Sequence, residues 1–168
     1  MSKDENLFYD VVGGIHEKPA HVEATWRPSV YGVAQNANGD LLVVKPGWND
    51  QWELPGGGVN KGERLLEALK REMLEETGYR VLSISELPVH IGEHRFYLRR
   101  SKIFHYTICL SYRVEFSDEP RDTSKMNVEL PDEVVEMRWV PLKDFTKENC
   151  HPITLPVVEV LKRINSVH

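Results

Sequence analysis

Apolar positions along the chain repeat with two different periods, and the change of period marks the elements. Short runs in which apolar residues alternate or crowd together read as strands: "LFYDVV" (Leu7–Val12), "PSVYGVAQ" (Pro28–Gln35), "LLVVK" (Leu41–Lys45) and "RVLSISEL" (Arg80–Leu87). An Asn-Gly turn signal in "NANGD" separates the second and third. "VHIGEHRFYL" and "IFHYTICLSYRVEF", joined by "RRSK", predict a long hairpin. On its second strand Phe104, Tyr106, Ile108, Leu110, Tyr112, Val114 and Phe116 alternate along one face. "EVVEMRWV" reads as a last strand, whereas "IHEKPAHVEATW" has no clean period and reads as a loop or irregular edge. "WNDQWELPGGG" reads as a polar loop that closes into a short strand and a glycine-rich turn.

From about Glu63 to Thr77 the period becomes helical, with Leu65, Leu66, Leu69 and Met73 as the apolar stripe and Gly78 as a left-handed C-cap. "PVVEVLKRI" closes the chain as a second helix, with Val157, Leu161 and Ile164 on one face. "SDEPRDTSKMNVELPD" is polar and aperiodic, a surface loop. Neither repeats nor linkers interrupt the pattern, so one α/β domain over residues 1–168 is expected, a mixed sheet with helices on its faces.

Charge changes this picture at one place. Glu67 and Lys70 fall on the wet side of the first helix, but Glu72, Glu75 and Glu76 cluster along the border of its apolar stripe. Like charges at i, i+4 repel by roughly 0.2–0.5 kcal/mol even when solvated, and half-burial makes this worse. Arg71 can serve one of these glutamates but not all three. Two readings remain at this point: a solvated, salt-bridged helix face, or carboxylates awaiting a hard divalent cation such as Mg²⁺. "PGGGVNKGE", with four glycines in nine residues, strengthens the second reading, because such backbone approaches ligands closely and exposes N–H groups to anions.

Composition narrows the classes further. With 168 residues, 40% apolar and 28% charged, the chain suits one soluble core. A net charge of −5 argues against a polymeric nucleic acid as general partner. Cys109 and Cys150 form no CxxC, so neither a disulfide framework nor a zinc site is expected. The polar N-terminus and the lack of a long apolar run lead to a cytoplasmic protein without membrane attachment as the expectation.

Gly57, Glu63, Arg71, Glu72, Met73, Glu75, Glu76 and Gly78 occupy every fixed spacing of G-x5-E-x7-R-E-U-x-E-E-x-G-U, U being bulky and apolar, with Tyr79 in the last place. That stretch, Gly57–Tyr79, resembles the Nudix box and covers about a seventh of the chain. The resemblance implies the Nudix fold, an α/β/α sandwich around a mixed β-sheet. It implies hydrolysis of a nucleoside diphosphate linked to another moiety, with Mg²⁺ or Mn²⁺ as cofactor. Carried over by position, Glu72, Glu75 and Glu76 are the implied metal ligands. Glu63 and Arg71 are an implied ion pair that braces the loop, with Glu63 also in reach of the metal as an outer partner. Gly57 and Gly78 are implied backbone requirements. A further acidic residue before a late tryptophan is expected at Glu133, with Glu136 as second candidate. Glu76 or Glu133 is the expected proton acceptor, and Glu72 completes the catalytic set.

Substrate contacts are less marked. Trp26, Trp48, Trp52 and Tyr97 are candidates for stacking on a base, worth roughly 1–3 kcal/mol per base. "RRSK" with Arg95 is a candidate for attracting phosphates, against a plain hairpin tip. All seven histidines read as structural or surface residues. Dinucleoside polyphosphates and damaged nucleoside triphosphates are alternative substrates, and a nucleotide sensor without turnover is the alternative class. A homodimer through the N-terminal strand is left open.

Overall fold

A computed structural model describes residues 6–126 and 134–166. Nine strands and two α-helices make up its regular structure: β1 Leu7–Tyr9, β2 Ile15–Glu17, β3 Thr25–Val33, β4 Leu41–Lys45, β5 Gly56–Gly58, α1 Leu65–Thr77, β6 Val81–Ile84, β7 His90–Leu98, β8 Ile103–Phe116, β9 Glu136–Val140 and α2 Leu155–Asn165. The main sheet runs β2-β1-β7-β8-β3-β5, with β6 also on β8, and β4 pairs with β9 in a second, two-stranded sheet. β1 lies parallel to β7 and β3 parallel to β8, while the remaining pairs are antiparallel. The mixed sheet expected from the sequence is the one observed.

Two apolar cores flank the strands. One joins Val33, Leu41, Val43, Leu54, Phe145 and α2; the other joins Val30, Leu42, Tyr112, Val114 and α1. Leu41 and Leu42 enter opposite cores, as successive residues of a strand must. The same double cover explains β8, where Cys109, Thr107 and Ser111 are buried on the face opposite the predicted stripe, while Ile108 within that stripe is exposed.

Several sequence expectations need correction. Leu65 and Leu66 are 37% and 43% exposed, whereas Ala68, Leu69 and Met73 are buried, so the buried stripe of α1 is turned toward Glu72 and Glu76. Met73 fixes that rotation: a Cβ on Gly32 of β3 would stand 2.2 Å from its Sδ, so the thioether occupies space that only glycine leaves. On α2 it is Val158, not Ile164, that completes the buried face. For "IHE" the edge alternative is the one found, a strand paired to β1, and β1 itself has neighbours on both sides.

The glycine run is a strand, not a turn. Gly56, Gly57 and Gly58 pair with Tyr31, Val30 and Ser29. Gly56 has φ +146°, and a Cβ there would lie 2.2 Å from the Val30 carbonyl oxygen, so no side chain fits. Close approach of two backbones, in place of chain reversal, is what this run supplies.

Candidate active site

Helix α1 ends against β5, and this contact gathers the acidic residues. Glu76 is 9% exposed, and its Oε2 accepts the backbone N–H of Gly56 at 2.8 Å. Glu72 lies over Gly57, where a Cβ would come within 2.8 Å of its carboxyl carbon. Arg71 reaches back along the same face. Its Nε and Nη2 donate to the two oxygens of Glu63 at 2.8 and 2.9 Å, and its Nη1 donates to Glu72 at 2.8 Å and Glu75 at 3.0 Å. One guanidinium therefore serves three carboxylates, and two of them belong to the trio of which the sequence reading allowed it one. The hydrogen bonds from Arg71 hold the Glu63 carboxyl down at about 2, aided by the Asn60 backbone N–H.

These residues line a cavity of about 400 Å³, within the range of small-molecule sites. Arg27, Ser29 and Tyr31 of β3 enter from the floor, and Glu53 joins the acidic wall. Glu53 is a functional candidate that sequence reasoning missed. Trp52 and Leu54 on either side are buried in the core, and alternation alone sends Glu53 to the opposite, cavity side. Burial pushes its carboxyl above the usual glutamate range, and a hydrogen bond from Asn49 Nδ2 at 3.1 Å offsets this in part. Burial likewise drives the Tyr31 phenol well above its ordinary value, with the charges of Glu53 and Glu76 adding to the shift.

The far wall comes from the N-terminal hairpin and the β7–β8 tip: Asp10, Val11, His94, Tyr97, Arg99 and Arg100. His94 and His151 face each other at 6.4 Å between ring centroids. Burial depresses both to about 4, so both are neutral at neutral pH. Both line the cavity, a placement that the sequence did not reveal.

Of the four aromatic candidates, Trp48 and Tyr97 line the cavity. Trp48 Nε1 is buried and finds no acceptor among the described residues. The Tyr97 ring packs, tilted, against His16 at 4.1 Å and Phe104 at 4.7 Å between centroids. Trp52 is excluded as a stacking platform: it is 8% exposed, packed in the core, with Lys45 Nζ over its ring at 4.4 Å. Trp26 belongs to the alternate set of β3 that faces away from the cavity; it is exposed and packs on Tyr106 at 5.3 Å. Glu136 pairs with Lys45 and Arg138 on the β4–β9 sheet and does not line the cavity. Glu133 lies outside the described residues.

Sequence and structure comparisons resolve what this arrangement belongs to. The sequence model of the NUDIX domain matches residues 25–161. The chain belongs to the Nudix family. It is similar to the MutT protein of Methanosarcina mazei Go1, at 26% identity and a TM-score of 0.60, covering 86% of this chain and 98% of that one. It is also similar to the RNA pyrophosphohydrolase of Psychrobacter cryohalolentis, 28% identical over 101 residues, 56% of this chain and 58% of that protein. A second RNA pyrophosphohydrolase, from Baumannia cicadellinicola, is 40% identical over 58 residues, 34% of this chain and 36% of that protein. The match thus spans about a third to three fifths of these curated relatives. The Nudix fold is the α/β sandwich observed.

Nudix hydrolases generally need divalent metal ions. Among the described residues no three His, Cys, Asp or Glu side chains converge as a ready ligand set, and Arg71 and the Gly56 N–H engage the carboxylates. The donor chemistry nevertheless fits a hard cation. Glu72, Glu75 and Glu76 offer carboxylate oxygens on one cavity wall, and the missing Cβ of Gly57 leaves room around Glu72. No helix among the described residues is long and apolar enough to cross a membrane.

Proposed function

We propose that this protein hydrolyses a phosphoric anhydride bond in a nucleoside diphosphate linked to a second moiety. The observation that carries the proposal is the pairing of a complete Nudix box with a nucleotide-sized cavity walled by its three glutamates. Glu72, Glu75 and Glu76 would hold Mg²⁺ or Mn²⁺. When bound, such an ion neutralises phosphate charge and acidifies a ligated water. The whole chain is taken as one catalytic domain.

The protein's own groups account for the remaining steps. The Gly56 N–H orients Glu76, and Arg71 spaces Glu72 and Glu75, so the acidic wall keeps its shape before substrate arrives. The oxygen of a water attacks one phosphorus while the bond from that phosphorus to the bridging oxygen breaks. The bridging oxygen leaves with the electron pair on the departing phosphate. The water's proton passes to a carboxylate of the cavity. Glu53 suits that role, since burial raises its affinity for a proton toward the operating pH. Trp48, with a buried indole N–H in search of an acceptor, is the favoured contact to the nucleoside half.

The test is a substrate panel with Mg²⁺ or Mn²⁺, read as released phosphate or nucleoside monophosphate. It should include nucleoside diphosphate sugars, dinucleoside polyphosphates, oxidised nucleoside triphosphates and 5′-triphosphorylated RNA, the last because of the relatives' names. Binding without turnover of any of these, under either metal, overturns the hydrolase reading in favour of a sensor.

A further inference from the structure

A heavily bonded carboxylate lies on the opposite wall from the Nudix box, outside the residues that match the family. Asp10 follows β1, and only 2% of its side chain is exposed. Its Oδ1 accepts the backbone N–H groups of Gly14 at 2.7 Å and Val12 at 3.1 Å, and its Oδ2 lies 2.7 Å from His16 Nε2. Arg99 Nε approaches the same Oδ2 at 3.4 Å from the β7–β8 tip. Burial alone would raise this carboxyl; the bonds from His16, Gly14 and Val12, with the charge of Arg99, hold it below the usual aspartate range. The turn is shaped around it, for a Cβ on Gly14 would fall 2.6 Å from Oδ2.

Three donors already satisfy Asp10 without Arg99, so the arginine is not needed to neutralise a stranded charge. What the contact does is fix where Arg99 stands. The Arg99 side chain is 61% exposed, lines the cavity together with Arg100, and faces a wall that carries Glu53, Glu72, Glu75 and Glu76. Arg27 lies between these walls, its guanidinium against Gly58, where a Cβ would stand 2.1 Å from Cζ. A cavity acidic on one side and basic on the other is matched to a ligand whose anionic groups extend beyond the bond that breaks.

We infer that Arg99 and Arg100 form an anion subsite for a leaving half that itself carries phosphate, and that Asp10 is the positioning residue that holds Arg99 there. This rests on the hydrolase reading and narrows its substrate class to polyphosphates longer than a diphosphate. Nucleoside diphosphate sugars, whose leaving half bears a single phosphate, engage the subsite less.

The experiment compares wild type with R99A/R100A and D10N on a dinucleoside tetraphosphate and on a nucleoside diphosphate hexose. For the double variant, the ratio of kcat/KM for the tetraphosphate to that for the hexose should fall about tenfold, carried by KM. D10N should shift the ratio in the same direction by a smaller factor, and R99K should restore part of it. Melting curves identify a variant that has simply lost its fold. A ratio within threefold of wild type in a folded double variant overturns the subsite. Should wild type hydrolyse neither substrate, the fate of the hydrolase reading passes to the full substrate panel and binding decides the inference. Calorimetry with inorganic triphosphate, without divalent ion, should then show about tenfold weaker binding to R99A/R100A. Equal binding, or none to wild type, overturns the subsite as well.

Discussion

A single carboxylate and a cluster of carboxylates face each other across one cavity, and they are supplied with donors in opposite proportion. At Asp10, two backbone N–H groups, one imidazole and one guanidinium converge on a single carboxylate. At α1, one guanidinium is divided among Glu63, Glu72 and Glu75. A buried carboxylate with surplus donors is finished architecture; it gains little from any further cation. Carboxylates that share one guanidinium present a net acidic field that an incoming cation can still use. The difference separates a carboxylate that positions a neighbouring cation from carboxylates suited to take one up.

The strongest way to break this contrast is at Glu76. Glu76→Gln keeps the Gly56 hydrogen bond but removes the charge that would hold the metal, so the fold should survive and hydrolysis should fall about 10³-fold. Magnesium uptake by calorimetry should weaken in parallel. Near-normal turnover in this variant removes Glu76 from the working wall. Asp10→Asn, by contrast, should leave magnesium uptake as it is in wild type.

Next in size is Arg71. Arg71→Ala leaves three partly buried carboxylates without their shared cation and should cost about 3 kcal/mol in denaturant unfolding. If the acidic wall is short of positive charge, added Mg²⁺ should raise the melting temperature of this variant more than that of wild type. Equal shifts in the two would mean that Arg71 and metal do not compete for the same carboxylates.

How much of this contrast was legible in the sequence depends on which residues had to meet. Glu72, Glu75, Glu76 and Arg71 lie within one helix, so spacing alone placed them together. The helical phase was misjudged toward Leu65 and Leu66, because the counterpart that fixes it, the bare surface of Gly32 beneath Met73, lies on another element. Glu53 was hidden in what looked like a polar loop, although the flanking Trp52 and Leu54 betray an inward alternation. Trp52 looked like a stacking platform because aromatic type says nothing about which core it enters. Asp10 gave no signal, since Arg99 lies 89 residues away and only the β1–β7 pairing brings the two together. The glycine run was read as a turn because glycine permits both reversal and close strand approach, and its partner β3 was not known.

Protonation sharpens the comparison from a third side. His94 and His151 are held near 4, below the ordinary histidine value of about 6.5, so the unfolded chain binds protons more readily than the folded one. Stability is therefore complete above about pH 6.5 and falls as the pH drops toward 4. Glu63 has the opposite chemistry but the same sign of slope. Its carboxyl is depressed from 4.5 to about 2, so its contribution is present above pH 4.5 and is lost as pH falls through about 2. The two windows barely overlap. Denaturation at pH 8, 6 and 5 should show a loss of about 1 kcal/mol per pH unit for each of the two histidines below 6.5, flattened in a His94→Gln/His151→Gln double variant. Glu63→Gln should leave that limb intact and flatten only the loss below pH 4.5.

The smallest expected effect is at Gly57, and it discriminates most finely between shape and binding. An added Cβ would stand 2.8 Å from the Glu72 carboxyl carbon, but that carboxyl is the far end of a flexible side chain and can swing aside. Gly57 has no positive φ, so alanine brings no backbone strain, unlike Gly56 with φ +146° against the Val30 carbonyl. Gly57→Ala should thus change unfolding free energy by less than about 1 kcal/mol. The displaced Glu72 should weaken magnesium uptake several-fold and raise the metal concentration that half-saturates hydrolysis. If alanine at Gly57 lowers stability as much as alanine at Gly56 while metal affinity stays unchanged, then Gly57 serves strand packing alone. The space over it would then have no part in accommodating a cation.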